Sequence, residues 1–279
     1  MPRKPVTGHP YQDLYIYYLS GNFRPSRIFQ PDHFVGNWVE GAFSFLFFTR
    51  PSLDLVKRTI DGMPGIALLD DYHMSYEQWH GDEVVPLQNG EFTITPPWIA
   101  EGDENSPTTI LLDPGVVFGT GTHPTTRDCM EALHLALSDP SMQTALDIGT
   151  GTGLLALAAA KLGCRKVLAM DLNLLAVRTA KKNVALNRLG DQILAVQGNA
   201  EKFMDFTSDL MVSNIHYDVM KNLIFTDGFL KKKKFILSGL MRNEAAWIEK
   251  ELAKLPVRVN RKWDQEGNWH TFLGECHGT

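Results

Sequence analysis

The order of apolar and polar positions divides the chain into two textures. Up to about Asp71 the apolar positions are crowded with rings: Tyr11, Tyr15, Tyr17, Tyr18, Phe23, Phe29, Phe34, Trp38 and the run Phe43–Phe48. Leu14, Ile16 and Tyr18 alternate with the two-residue period of a strand, and Phe43–Thr49 reads as another. Ser52 to Ile60 predicts a helix, with Leu53, Val56 and Ile60 on one face and Ser52 placed to cap it. These elements make a small α+β domain over residues 1–71, whose rings mostly fill a core. Met63-Pro64-Gly65 and Asp70-Asp71 suggest a linker.

From Trp79 the texture changes. Glu91–Thr95 reads as a strand stopped by Pro96-Pro97, neither of which has an N–H for a ladder. A polar loop follows over 101–107. Then strands and helices alternate. The strands are Ala145–Ile148, Lys166–Met170, Ile193–Val196, Leu210–Ser213 and Phe235–Leu237. The helices are Leu154–Leu162, Leu174–Leu189, Val219–Leu230 and Glu244–Leu255, with Gly163 and Gly190 where glycines end helices. Such alternation predicts a parallel sheet with helices on both faces. Val257–Arg261 and Trp269–Gly274 supply a final hairpin at one edge. The expected fold class is α/β: a doubly wound, seven-stranded Rossmann-like domain over 72–279 behind the small α+β domain.

A chain of 279 residues can bury one large core and one smaller one. With 44% hydrophobic and 21% charged residues, neither disorder nor a fibrous repeat is suggested. A net charge of −5 provides no global attraction for phosphates, which lowers the case for direct nucleic-acid binding. Cys129, Cys164 and Cys276 lie far apart without a Cys-x-x-Cys pair. That argues against a disulfide framework or a thiolate metal site and for a reducing compartment. Met1–Pro10 lacks an apolar signal core, and the longest apolar runs are too short to span a bilayer. A cytoplasmic protein with no membrane partner is expected.

Chemistry enters at Asp147-Ile148-Gly149-Thr150-Gly151-Thr152-Gly153, which leaves a strand and opens a helix. In such sheets the ligand sits beyond the carboxyl ends of the strands, where strand order reverses. A dinucleotide loop of the form G-x-G-x-x-G would want glycine at position 154, where Leu154 stands, and Asp147 would repel a pyrophosphate. S-adenosyl-L-methionine (AdoMet) fits better. Backbone N–H groups around Gly149, Gly151 and Gly153 could meet its carboxylate, and Asp147 suits its ammonium and sulfonium cations. Asp171, ending the next strand, could accept both ribose hydroxyls. After the third strand, Gln197-Gly198-Asn199-Ala200 is either a plain polar turn or a reader of the adenine edge through Asn199.

Two further segments narrow the reading. Asp113-Pro114-Gly115-Val116-Val117-Phe118-Gly119-Thr120-Gly121-Thr122-His123-Pro124-Thr125-Thr126 precedes the first strand of the sheet, and Val212-Ser213-Asn214-Ile215 ends the fourth. With the glycine loop and Ser238-Gly239-Leu240, they resemble the PrmA family, bacterial methyltransferases of large-subunit ribosomal protein L11. The resemblance runs from about Pro86 to Gly274 and includes Pro96-Pro97-Trp98 and Trp269. It implies that Thr126, Gly149, Asp171 and Asn214 contact AdoMet, with Thr122 of the same loop added as a candidate. It also implies a loop over Phe118–His123 that folds over the cofactor and borders the substrate amine, and a ferredoxin-like N-terminal module that holds a protein substrate. Phe118, His123 and Asn214 are the catalytic candidates.

The residues agree with that chemistry on their own account. Thr125 or Thr126 can cap a helix Arg127–Leu137, leaving the Gly119/Gly121 loop to approach a ligand. His123 could be a base or a structural residue beside Pro124. At a strand end, the side-chain carbonyl of Asn214 and a following backbone carbonyl could orient a nucleophilic nitrogen. His216-Tyr217 departs from the family, as does the aromatic N-terminal region, and Lys231–Lys234 reads as a solvated turn. The expected activity is methyl transfer to a protein amine, on a lysine or an α-amine. The rivals are the same fold acting on another protein, a small molecule or RNA, and an AdoMet-binding protein without turnover.

Overall fold

The computed structural model describes Gly8 and residues 10–25, 29, 31–81, 83–99 and 106–277. The chain divides into two compact units: 1–85 with 173–175, and 86–172 with 176–279. The first contains β1 (Asp13–Ser20), β2 (Phe34–Glu40), β3 (Phe43–Phe48), α1 (Leu53–Ile60), β4 (Ala67–Ser75) and α2 (Tyr76–His80). Its antiparallel sheet runs β2-β3-β1-β4, and Tyr17, Leu19, Leu46 and Phe48 pack with Val56 of α1. The expected boundary at 71/72 moves to 85/86. Asp70 and Asp71 are no linker: they pair with Tyr18 and Tyr17 across β4 and β1. Ser52 precedes α1 but does not cap it; its hydroxyl donates to the Arg50 carbonyl.

The second unit opens with β5 (Leu87–Asn89), β6 (Phe92–Thr95) and β7 (Thr109–Leu111), a small sheet, followed by α3 (Pro124–Leu137). It continues through β8 (Thr144–Ile148), α4 (Leu154–Lys161), β9 (Lys166–Asp171), α5 (Leu174–Leu186), β10 (Ile193–Gln197) and α6 (Ala200–Phe203). Then come β11 (Leu210–Asn214), α7 (Tyr217–Leu223), α8 (Asp227–Leu230), β12 (Lys234–Met241), α9 (Arg242–Leu252), β13 (Val257–Gln265) and β14 (Trp269–Cys276). The seven strands run β10-β9-β8-β11-β12-β14-β13, with β14 antiparallel to β12 and paired with β13 in the expected edge hairpin. One core lies around α3, α4 and the buried face of α5, a second around α7, α8 and α9. Leu154–Ala160 of α4 is buried on every side, so its apolar run carries no amphipathic period.

Three local expectations change. Val219–Leu230 is two helices, because Thr226 accepts the Phe229 N–H as a new N-cap and restarts the chain as α8. Arg188, at φ 58°, takes the left-handed turn after α5, not Gly190. Lys231–Lys234 is not simply a solvated turn: Lys232 is buried, its Nζ donating to the Met204 and Phe206 carbonyls, and Lys233 pairs with Asp209. Among the described residues no helix is long and apolar enough to cross a membrane.

Candidate active site

Strand order reverses between β8 and β11, and the chain leaves both strands at the same end of the sheet. Asp147, Asp171 and Asn214 stand there on adjacent strands, the last two as final residues of β9 and β11. This is the crevice in which doubly wound sheets hold ligands.

The glycine loop joins β8 to α4. Gly149, Gly151 and Gly153 have φ of 71°, 55° and 87°, conformations that side chains rarely adopt. Space excludes side chains as well. A Cβ on Gly149 would lie 2.1 Å from Ile215 Cγ2, and one on Gly151 would lie 2.6 Å from the Phe118 carbonyl oxygen. The loop N–H groups, however, are not aimed outward as expected. Those of Gly149 and Thr150 both donate to the Met170 carbonyl, that of Gly151 to Asp171 Oδ2, that of Thr152 to the Phe118 carbonyl and that of Gly153 to the Thr150 carbonyl. The glycines therefore provide shape and close approach rather than a ready nest of donors.

Asp147 is buried; its Oδ2 accepts from the Thr150 hydroxyl at 2.6 Å, while Oδ1 is buried without a short hydrogen bond. Burial pushes its pKa up to about 7; the Thr150 hydroxyl and the Ala156 backbone N–H oppose the rise, and the charge of Asp171 adds to it. A buried carboxylate with a raised pKa is a place for a cationic ligand group. The folded pKa lies above the unfolded value of about 3.9, so the folded state is the better proton binder. This group's contribution to stability is therefore full below about pH 4 and is lost as pH rises to about 7, a loss on the order of 4 kcal/mol at most. In thermal melts without ligand, Asp147→Asn is expected to flatten the fall in melting temperature across that window. A pH slope identical to that of the unsubstituted protein would show that Asp147 titrates normally.

Asp171 is almost fully buried, and its main chain also holds the next turn, accepting the Gly198 N–H. Asn199 is exposed and its Oδ1 caps α6 by accepting the Glu201 N–H at 3.0 Å, which is the polar-turn alternative. Leu172, 68% exposed, follows Asp171 directly.

The opposite wall is the loop before α3. Thr152 pins it, donating its N–H to the Phe118 carbonyl and its hydroxyl to the Gly119 carbonyl. Asn183 of α5 clamps the base of the loop: its amide nitrogen donates to the Asp113 and Thr152 carbonyls, and its oxygen accepts the Asp113 N–H. Neither residue stands out in sequence, although an asparagine inside a helix, repeated at Asn187, is a legible sign of a tertiary role. The Phe118 ring is 72% exposed; Thr122 is exposed and bonds Thr120 at 2.8 Å.

Helix α3 begins at Pro124, earlier than expected, and neither Thr125 nor Thr126 caps it. His123 does: its Nδ1 accepts the Thr125 N–H at 3.3 Å and lies 2.7 Å from the Thr125 hydroxyl, while its ring meets Trp269 edge-on. Burial first, then the charge of Arg127, lowers the His123 pKa against the opposing pull of Asp128. Thr126 is buried in the first turn of α3. Asn214 Nδ2 donates to Thr125 Oγ1 at 3.2 Å. Gly239, at φ 85°, faces the other side of the Asn214 amide: a Cβ there would lie 2.8 Å from Asn214 Oδ1 and 3.1 Å from the Ile215 carbonyl oxygen. A side chain on Gly239 would therefore crowd both oxygens, so only glycine fits beside them. Among the described residues no group of three or more His, Cys, Asp or Glu is placed to hold a metal ion.

Comparison with known proteins places the fold in a family. The family described as ribosomal protein L11 methyltransferase (PrmA) matches residues 73–276. A ribosomal protein L11 methyltransferase of Listeria monocytogenes is 37% identical over 196 residues, covering 68% of this chain and 61% of that protein. One of Enterococcus faecalis is 36% identical over 184 residues, covering 65% and 58%. The chain thus spans about three fifths of the length of these relatives. The crystal structure of a ribosomal protein L11 methylase from Lactobacillus delbrueckii subsp. bulgaricus superposes with a TM-score of 0.61 at 29% identity, covering 69% of this chain and all of that one. With a sheet, a glycine loop and a family match that coincide over the second unit, the chain belongs to the ribosomal protein L11 methyltransferase (PrmA) family.

Proposed function

We propose that this protein is an AdoMet-dependent N-methyltransferase that acts on lysine or α-amino groups of a ribosomal protein, with L11 as its substrate. The observation that carries the reading is the pair of acceptors, Asn214 Oδ1 and the Ile215 carbonyl, at the end of β11 beside the glycine loop. An amine has two N–H bonds to donate there and keeps its lone pair for attack.

The residues fit AdoMet. Asp147, a buried carboxylate with a raised pKa, would face the ammonium; Asp171 would hold the ribose hydroxyls; Leu172 offers an exposed apolar surface to the base. Thr126 contributes a hydroxyl at the N-terminus of α3, the positive end of a helix and suited to a carboxylate. When bound, AdoMet supplies a methyl group activated by its sulfonium for in-line displacement. The protein's work is alignment and exclusion of water, for which Phe118 on the pinned loop is placed as a cover. A lysine amine, with an ordinary pKa of about 10.4, must lose its proton before attack, and a desolvated site eases that loss. His123 is not the base in this reading: Nδ1 is held as the cap of α3 and Nε2 carries the neutral ring's proton. The first unit, with its β2-β3-β1-β4 sheet, is the substrate-holding module, and the cytoplasm is where the enzyme would meet its substrate.

Labelled AdoMet with purified bacterial L11 tests the activity, and calorimetry tests the cofactor. Label is expected on L11. Asp171→Ala is expected to weaken AdoMet binding by about 1.5–3 kcal/mol, the range for charged hydrogen bonds. No label on L11, or no AdoMet binding by the unsubstituted protein, overturns the reading.

A further inference from the structure

We infer that Thr125 is a positioning residue that fixes the orientation of the Asn214 amide, so that Asn214 Oδ1 and not its NH2 group faces the methyl acceptor. The inference rests on the function proposed above, and it follows from counting donors around one hydroxyl. Thr125 Oγ1 lies 3.2 Å from Asn214 Nδ2 and 2.7 Å from His123 Nδ1. An amide nitrogen can only donate, so the hydroxyl accepts from Asn214 and keeps its single proton for another partner. His123 Nδ1 is an acceptor, because the Thr125 backbone N–H is aimed at it at 3.3 Å, and the hydroxyl proton therefore points to His123.

The relay therefore has one direction, from Asn214 Nδ2–H to Thr125 Oγ1–H to His123 Nδ1. Turning the Asn214 amide over would set its carbonyl oxygen against a hydroxyl whose proton is already committed, and would turn NH2 toward Gly239 and the Ile215 carbonyl. The amine would then meet a donor where it needs an acceptor.

Thr125 is itself held firmly. It is buried in the first turn of α3. Ser238 bonds Thr271 at 2.6 Å, and Thr271 donates to Asp128 on the next turn of the same helix. The hydroxyl that orients Asn214 thus stands on a rigid element supported by β12 and β14, as a group that must hold geometry should.

The test compares Thr125→Val, which keeps shape and removes the hydroxyl, with Thr125→Ser, which restores it. Three measurements are made: single-turnover methyl transfer to L11 at saturating AdoMet, AdoMet affinity by calorimetry, and NMR of the Asn214 side-chain amide and the His123 ring nitrogens. Thr125→Val is expected to slow transfer by about 10–100-fold through misalignment. AdoMet affinity should change far less, the Asn214 NH2 and His123 Nδ1 signals should shift, and Thr125→Ser should recover most of the rate. A normal rate in Thr125→Val, or an equal loss in Thr125→Ser, overturns the inference. If the unsubstituted protein does not methylate L11, the proposed substrate falls separately, and the NMR arm decides: unshifted Asn214 and His123 signals in Thr125→Val overturn the relay.

Discussion

Gly149→Ala is expected to weaken AdoMet binding by about 30-fold or more while leaving the protein folded. Two independent costs meet at this residue. Its φ of 71° is a left-handed conformation that costs a residue with a Cβ roughly 1–2 kcal/mol. The added carbon would also sit 2.1 Å from Ile215 Cγ2, a distance no packed pair tolerates, and overpacking of this kind costs about 1–3 kcal/mol. Relief requires either the loop or Ile215 to move. If the loop moves, the turn from Asp147 to α4 loses its shape; if Ile215 moves, it takes with it the chain that carries Asn214 and the Ile215 carbonyl. Summed, about 2–5 kcal/mol is well over tenfold in affinity at 1.4 kcal/mol per decade. Calorimetry with AdoMet is the measurement, with Gly190→Ala as the control. Gly190 meets nothing within 4 Å and is not left-handed, so that variant should bind normally. Binding by Gly149→Ala within about threefold of normal would mean that the loop does not approach the cofactor.

The same loop shows how much a sequence can carry. Its glycines, the acid before it and the acid ending β9 are all visible in the order of residues, because each requirement is local. What the loop's N–H groups bond to is not local. Gly149 and Thr150 donate to Met170 on the neighbouring strand and Gly151 donates to Asp171, partners that only the sheet brings near. A donor nest read from glycines alone is therefore an overstatement. In β4, edge position erases the signal: the nine residues Ala67–Ser75 are mostly exposed, so they show no alternation and read as linker. At α3 a proline outweighs a threonine pair. Pro124, with its fixed φ, is at home as the first helical residue, which hands the capping position to His123. The buried Lys232 is hidden by its three lysine neighbours, since only the turn's geometry directs one of the four ammonium groups inward onto two carbonyls. Asn214 was legible as a strand-end asparagine, but its partner Thr125, 89 positions away in sequence, was not.

Asn214→Ala is expected to lower the single-turnover methyl-transfer rate by about 100-fold, with only a small loss of melting temperature. The half-buried amide makes one described hydrogen bond, to Thr125, so truncation forfeits about 0.5–1.5 kcal/mol of stability, a few degrees at this chain size. The catalytic loss has a different origin. With the side chain gone, the Ile215 carbonyl alone remains on that side of the space next to Gly239, and an amine held by one acceptor can rotate its lone pair off the attack line. Alignment of this kind is worth several kcal/mol of a displacement barrier, so its loss falls on the rate constant rather than on folding. If Asn214 instead served only to close the turn after β11, the two effects would reverse: stability would fall and the rate would hold. Single-turnover kinetics at saturating AdoMet, run beside thermal melts, separates the cases. A near-normal rate in folded Asn214→Ala would remove the acceptor pair from the mechanism and transfer the work of orienting the amine to the pinned loop that carries Phe118.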